Sequence, residues 1–258
     1  MDFRGRTVIV TGAGGGIGEA YARGCAAAGM NVVVADIDEA AGGRVAEEIR
    51  RAGGRALFVA TDVASERSAQ ACVAAATAAF GEIDYLVNNA AIFGGMRAES
   101  YLTVDLDYLE RFMRVNMHGC LIMARAAVPS MERKGGGAIV NQSSTAAWMA
   151  AGYYGVAKLA VNGITQSLAR ELGPRNIRVN AIAPGPTDTP AMRRQASAPG
   201  GGFAADHASR PPRHARRPGG SAALSALRRG ALDHRPHPQR GRRPADAPLI
   251  LGGGSAFR

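Results

Sequence analysis

The sequence predicts an α/β fold: a doubly wound parallel sheet covered by helices on both faces, in a single domain over residues 1–190. Three observations point there. Short apolar runs alternate with longer segments of helical period, glycines sit where those helical segments end, and the alternation repeats at the pitch of strand–helix–strand units. The chain has 258 residues, 47% of them apolar and 20% charged, which is enough to bury one large core.

The first strand is expected at residues 7–10; it runs into a glycine-rich turn and then a helix over 19–28 that Gly29 closes. A second strand at 32–35 precedes a helix with Val45, Ile49 and Ala52 on one face, closed by Gly53 and Gly54. Further strands are expected at 56–60, 85–87, 138–140 and 179–182, the last two separated by a helix carrying Val161, Ile164 and Leu168. No apolar run reaches 18 residues, so a membrane span is not expected, and nothing resembling a secretory leader precedes the first strand. Cys25, Cys72 and Cys120 are odd in number and far apart. That argues against a disulfide framework or a metal site and for a reducing cytoplasm.

Charge divides the chain in two. The net charge is +10, yet residues 1–190 hold 18 basic and 18 acidic side chains. Residues 191–258 hold 13 arginines against Asp206, Asp233 and Asp246, together with eight of the 13 prolines, and they lack Val, Thr, Asn, Glu, Lys, Trp and Tyr. Such a segment has too little apolar surface to fold by itself. Its basicity invites a polyanion, but aromatic residues are limited to Phe203 and Phe257 and no nucleic-acid module is present, so nucleic acid ranks low.

The first strand ends in Thr11-Gly12-Ala13-Gly14-Gly15-Gly16-Ile17-Gly18. Glycines at a strand-to-helix turn let backbone N–H groups approach a pyrophosphate at a helix N-terminus. Asp36 ends the second strand, where a carboxylate binds ribose hydroxyls and repels a 2′-phosphate, favouring NAD over NADP; a strand-end cap is its alternative. Tyr154 and Lys158 stand four apart on one helix face. An ammonium there is expected to lower the phenol's pKa and make Tyr154 a general acid/base. Tyr153 lacks such a partner, since Ala157 lies four residues on. A serine pair, Ser143-Ser144, follows the fifth strand, where one hydroxyl can hydrogen-bond a substrate oxygen and another can cap the turn. Phe93, Trp148 and Met149 fall in loops at strand C-termini and are expected as walls of an apolar substrate pocket or as packing.

The spacing G-x-x-x-G-x-G of Gly12, Gly16 and Gly18 resembles the short-chain dehydrogenase/reductase family. Further matches follow in order: Asp62-Val63, Asn88-Asn89-Ala90-Ala91, Val115-Asn116, Ser143-Ser144, Tyr154 through Lys158, and Pro184-Gly185. The resemblance implies a Rossmann-like domain that moves hydride between a nicotinamide cofactor, NAD, and a secondary alcohol or ketone. It implies Asn116, Ser144, Tyr154 and Lys158 as the catalytic set, with Ser144 over Ser143 on the substrate oxygen, Ser143 capping the turn and Asn116 holding a water that links Lys158 to solvent. A structural Asn that kinks its helix is the compatible alternative for Asn116. Gly12, Gly16, Ile17 and Gly18 would surround the pyrophosphate, and Asp62, Val63, Asn88 and Ala90 the adenosine end. Lys158 would also hold the nicotinamide ribose, Pro184, Gly185 and Thr187 the carboxamide, and Thr189 the carboxamide or phosphate. A homodimer or homotetramer would form through the helices around 109–131 and 159–172.

Beyond residue 190 the resemblance stops: the family's substrate lid and seventh strand are missing from residues 191–258. Read one nucleotide later, codons chosen for residues 227–244 encode Ser-Asp-Glu-Ala-Arg-Trp-Ile-Thr-Gly-His-Ile-Leu-Asn-Val-Asp-Gly-Gly-Gln, a close likeness of the family's C-terminal signature. The tail is therefore read as frame-shifted, with the shift between about Ala191 and Ala208, and little turnover is expected from the chain that carries it.

Overall fold

A computed structural model of the chain describes residues 2–197. Its strands are β1 (Thr7–Thr11), β2 (Asn31–Asp36), β3 (Arg55–Ala60), β4 (Tyr85–Asn88), β5 (Gly137–Gln142) and β6 (Ile177–Ile182). They form one parallel sheet in the order β3-β2-β1-β4-β5-β6. The helices are α1 (Gly16–Ala27), α2 (Glu39–Arg51), α3 (Glu66–Phe80), α4 (Leu106–Met113), α5 (Gly119–Arg133), α6 (Gly152–Leu172) and α7 (Pro190–Ala196). This is a Rossmann-like α/β fold.

All six expected strands are present, each longer than its apolar run because main-chain pairing continues into polar residues. Asp36 pairs with Ala60, Asn88 with Asn141, and Gln142 with Ile182. These polar ends face the same edge of the sheet.

The two-residue period of the strands sorts their side chains into two cores. Val8, Val10, Val32 and Val34 pack with Tyr21 and Cys25 of α1 and with Val45 and Ile49 of α2. Ile9, Val33, Leu86 and Ile139 pack on the opposite face with Cys72 of α3, Met123 of α5 and Leu168 of α6. β1 and β2 are buried on both faces, which is why they read as unbroken valine-rich runs.

Local capping sets most helix starts. Asp38, Ser65 and Asp105 accept hydrogen bonds from the N–H groups of Ala41, Ser68 and Tyr108 at the starts of α2, α3 and α4. α1 differs: Gly15 is its N-cap, and no side chain caps it. The single long helix expected around 109–131 is split. A π-helical turn, Arg114–His118, joins α4 to α5 and contains Asn116. α7 extends the described fold past residue 190, while the expected lid and seventh strand and the basic tail from residue 198 lie outside the described residues.

Strand order reverses between β1 and β4, so the connections leaving these strands diverge to opposite faces and open a crevice at their C-terminal ends. Ile9→Ala, at a fully buried position under that crevice, is expected to cost about 2–5 kcal/mol in urea unfolding. Leu102→Ala, at a side chain 95% exposed, should stay within about 0.5 kcal/mol. Equal losses at both positions would contradict the burial described here.

Candidate active site

A cleft of about 930 Å³ occupies the crevice, bounded by the glycine turn, the ends of β2 and β3, and the loops after β4, β5 and β6. At Gly12 the chain adopts φ +62°, and a Cβ there would lie 2.8 Å from the Cα of Ala90. Gly18 does not line the cleft. A Cβ at that position would collide with the Gly12 carbonyl, so this glycine lets α1 pack directly on the turn. Gly15 faces open space and, with Gly16 and Ile17, lines the cleft at the uncapped start of α1. Bare backbone at a helix N-terminus suits the pyrophosphate of a dinucleotide.

Asp36 lines the cleft at the end of β2. Its Oδ2 accepts from the Gly14 N–H at 2.7 Å and its Oδ1 from the Asp38 N–H at 3.0 Å. Each oxygen keeps acceptor capacity for a further hydroxyl. Asp62, Val63 and Ala90 also line the cleft, Asp62 turning its Oδ1 back to the Ala64 N–H at 2.9 Å. Pro184, Gly185, Thr187 and Thr189 form the opposite rim. Thr187 donates to the Gly185 carbonyl at 3.0 Å, and Thr189 caps α7 through the Met192 N–H at 3.1 Å.

Ser144, Tyr154 and Lys158 meet in this cleft. Lys158 is buried, and its Nζ donates to the Gln142 carbonyl at 2.9 Å. Burial pushes its pKa down to about 8. Burial also pushes the Tyr154 phenol above its ordinary value, with a Ser144 hydrogen bond pulling the other way. The expected lowering of Tyr154 by Lys158 is therefore not a property of the protein alone. The ammonium sits 5.8 Å from the ring centroid and is committed to a carbonyl, so desolvation prevails. Tyr153 faces away, donating to the Arg97 carbonyl within an aromatic cluster with Phe112. Burial first, and Tyr108 second, push its pKa up to about 12.

The cap expected of Ser143 is made by Ser144. Ser144 caps the 3-10 turn Thr145–Trp148 through the Ala146 N–H at 3.2 Å, while Ser143 is buried and donates to the Lys158 carbonyl at 3.1 Å. Ser143 thereby ties the end of β5 to α6. Ser144 keeps its place in the cleft beside Tyr154.

Three other expectations are corrected. The Asn88 side chain does not reach the large cleft, because strand alternation turns it inward with Leu86. Its Nδ2 donates to the Cys120 carbonyl and to Asn141. Asn89 lines the cleft instead. Asn116 lies outside the large cleft, in a cavity of about 10 Å³ shared with Lys158. Both ends of its amide are held by Ile92, the N–H of Ile92 at 2.6 Å and its carbonyl at 2.9 Å. Its side chain thus anchors the π-helical turn. Trp148 is 67% exposed and does not line the cleft, because the buried Ala146 and Ala147 take the inner side of that short turn. Phe93 and Met149 do line it, Phe93 with its ring centroid 5.1 Å from that of Tyr154. Gly14, Asn89 and Gln142 were not singled out from the sequence. Gln142 contributes a carbonyl, which carries no residue-type signal.

A family model for short chain dehydrogenase matches residues 6–199. The chain belongs to the short chain dehydrogenase family. As a member it is an oxidoreductase of a family that acts on small molecules with a nicotinamide cofactor, NAD or NADP. An uncharacterized oxidoreductase of Mycobacterium tuberculosis is 56% identical over 191 residues, covering 74% of this chain and 77% of that protein. The 2,5-dichloro-2,5-cyclohexadiene-1,4-diol dehydrogenase of Sphingobium indicum is 40% identical over 199 residues, 75% of this chain and 77% of that protein. The trans-4-hydroxycyclohexanecarboxylate dehydrogenase of Sinomonas cyclohexanicum is 40% identical over 194 residues, 72% of this chain and 73% of that protein. No helix among the described residues is long and apolar enough to cross a membrane.

Lys158 gives this short-chain dehydrogenase a measurable pH signature. In the fold it releases its proton near pH 8, whereas an unfolded lysine holds it to ~10.4. The unfolded chain holds this proton between those values, so the contribution of Lys158 to stability rises with pH across that window, against the falling contributions of Cys25, Cys72 and Cys120, whose thiols burial pushes up. Lys158→Met should therefore make stability fall more steeply with pH in urea unfolding followed from about pH 7 to about pH 10. A pH dependence unchanged by the substitution would assign the titration to another group.

Proposed function

We propose that this protein transfers hydride between NAD and a secondary alcohol or its ketone, with Tyr154 as the general acid/base. The observation that carries the proposal is the convergence of Ser144, Tyr154 and Lys158 in a cleft that also holds the bare glycine turn and Asp36. A bound nicotinamide would take up or supply the hydride. Ser144 orients the substrate oxygen and stabilises charge on it, and Tyr154 takes the hydroxyl proton during oxidation and returns it during reduction. Lys158 stabilises the phenolate and holds the ribose, and the main chain at Asn116 holds a water behind it. Asp36 favours NAD by accepting from both ribose hydroxyls, and Asp62 takes the adenine amino group. Phe93 and Met149 offer an apolar wall beside Tyr154.

The names of the two dehydrogenase relatives above support cyclic secondary alcohols as the first substrates to assay. The exposed Val156 and Leu159 on α6 support a homo-oligomer built on that helix.

A second reading has its own support. The relatives described above are matched over only 73–77% of their length, and the family model stops at residue 199. We read the unmatched part as the lid and seventh strand, which a frame-shifted tail over residues 191–258 would lack. A chain bearing that tail binds NAD with little or no turnover. Resequencing codons 185–258 separates the two: a missing or extra base there restores the dehydrogenase reading to the corrected chain, and an unchanged sequence favours binding alone.

Tyr154→Phe should lower turnover by ~10²–10⁴-fold while dinucleotide binding persists, and Tyr153→Phe should change turnover far less. Comparable losses at both tyrosines would remove Tyr154 from the mechanism. Because oxidation releases a proton, its rate should climb with pH and the rate of reduction should fall. Steady-state rates in both directions check that sign.

A further inference from the structure

Gly14 is held from both sides. Its N–H donates to Asp36 Oδ2 at 2.7 Å, and its carbonyl accepts from Arg44 Nη2 at 3.2 Å. No side chain could stand at this position undisturbed, since a Cβ would lie 2.9 Å from Asp36 Oδ2 and 3.0 Å from the Ala41 Cβ. The orientation of the Asp36 carboxylate therefore depends on the Gly14 peptide, and the Gly14 peptide leans on Arg44.

Arg44 is itself fixed. It reaches Glu19 Oε2 and Glu48 Oε2, both at 3.0 Å. Arg23 closes a ring on the same two glutamates, pairing with Glu19 at 2.7 Å and also with Glu48. Two arginines and two glutamates cancel in charge, and the ring staples α1 to α2 beside the glycine turn. Glu19, Asp36 and Arg44 all line the cleft. A planar guanidinium with donors in a fixed fork holds two carboxylates and a carbonyl in one rigid arrangement.

We infer that Arg44 is a positioning residue that sets the preference for NAD over NADP. This rests on the NAD reading given above. Arg44 locks the Gly14–Asp36 pair in the orientation that accepts two free ribose hydroxyls. With its charge cancelled by Glu19 and Glu48, it offers no free cation to a 2′-phosphate. An unpaired arginine at the same rim would attract that phosphate.

The full chain, Arg44→Met and Glu48→Gln are titrated with NADH and NADPH by fluorescence, with thermal unfolding recorded for each. Arg44→Met should weaken NADH by ~10-fold and NADPH by less, so the ratio of the two affinities falls. Glu48→Gln leaves the Gly14 contact in place; it should hold NADH near the unsubstituted value and strengthen NADPH by ~3-fold. An Arg44→Met effect common to both dinucleotides, or absent from both, would reduce Arg44 to a staple between helices and overturn the inference alone. So would a Glu48→Gln protein with no gain for NADPH. An unsubstituted chain that shows no preference for NADH would overturn the NAD reading and the inference together.

Discussion

Asn89 donates from Nδ2 to the carbonyls of Thr11 and Gly12 at 2.9 and 3.0 Å, and Thr11 Oγ1 accepts from the N–H groups of Asn89 and Ala90 at 3.0 and 3.1 Å. These bonds tie the end of β1 to the end of β4 where the strand order reverses, and the cleft opens from that junction. Without them, carbonyls in the turn would be left unpaired, at about 1–3 kcal/mol each where buried. The glycine turn is built outward from this clamp. Gly12 bends against Ala90, α1 packs on the Gly12 carbonyl at Gly18, and Gly14 reaches Asp36. Displacing the clamp would move the glycine-turn end of the cleft as a unit.

The other end of the cleft is electrostatically tense. Burial disfavours both the ammonium of Lys158 and the phenolate of Tyr154. Neither charge is well supported by the protein around it: Lys158 has one carbonyl at 2.9 Å, and Tyr154 has the Ser144 hydrogen bond. Opposite charges introduced together would relieve both, since each partner offsets the other's desolvation. Perturbed groups of this kind cluster where proton transfer is required, at a cost to the resting fold. The rigid strand ends and the anchored π-helical turn hold them in place, Asn116 fixing the Ile92 backbone at the floor.

Much of this was legible in the order of residues. Valine-rich runs announced β1 and β2 because burial on both faces leaves no polar alternation to mask them. Glycine spacing announced the turn, and the four-residue step from Tyr154 to Lys158 announced a shared helix face. Finer assignments failed where two neighbouring residues offer the same chemistry. In the pair Asn88-Asn89 the first faces the interior and the second the cleft, while Ser143 and Ser144 both line the cleft and differ in that the Ser143 hydroxyl donates to the Lys158 carbonyl. Trp148 misled for a related reason: a loop position at a strand C-terminus implies proximity to the site, not the direction in which a short turn points its last residue.

Residue order alone therefore determined the α/β class, the six strands, the glycine turn and the tyrosine–lysine pair, since all of these rest on local periodicity, backbone sterics and fixed helical spacing. Tertiary structure decided which of two equivalent side chains enters the cleft and what Asn116 holds. It also decided that Tyr154 is raised where proximity to Lys158 had suggested lowering, and that Arg44 of α2 reaches the turn preceding α1. Such outcomes depend on desolvation and on contacts between segments far apart in the chain. Both are set by the packed environment, which no spacing rule encodes.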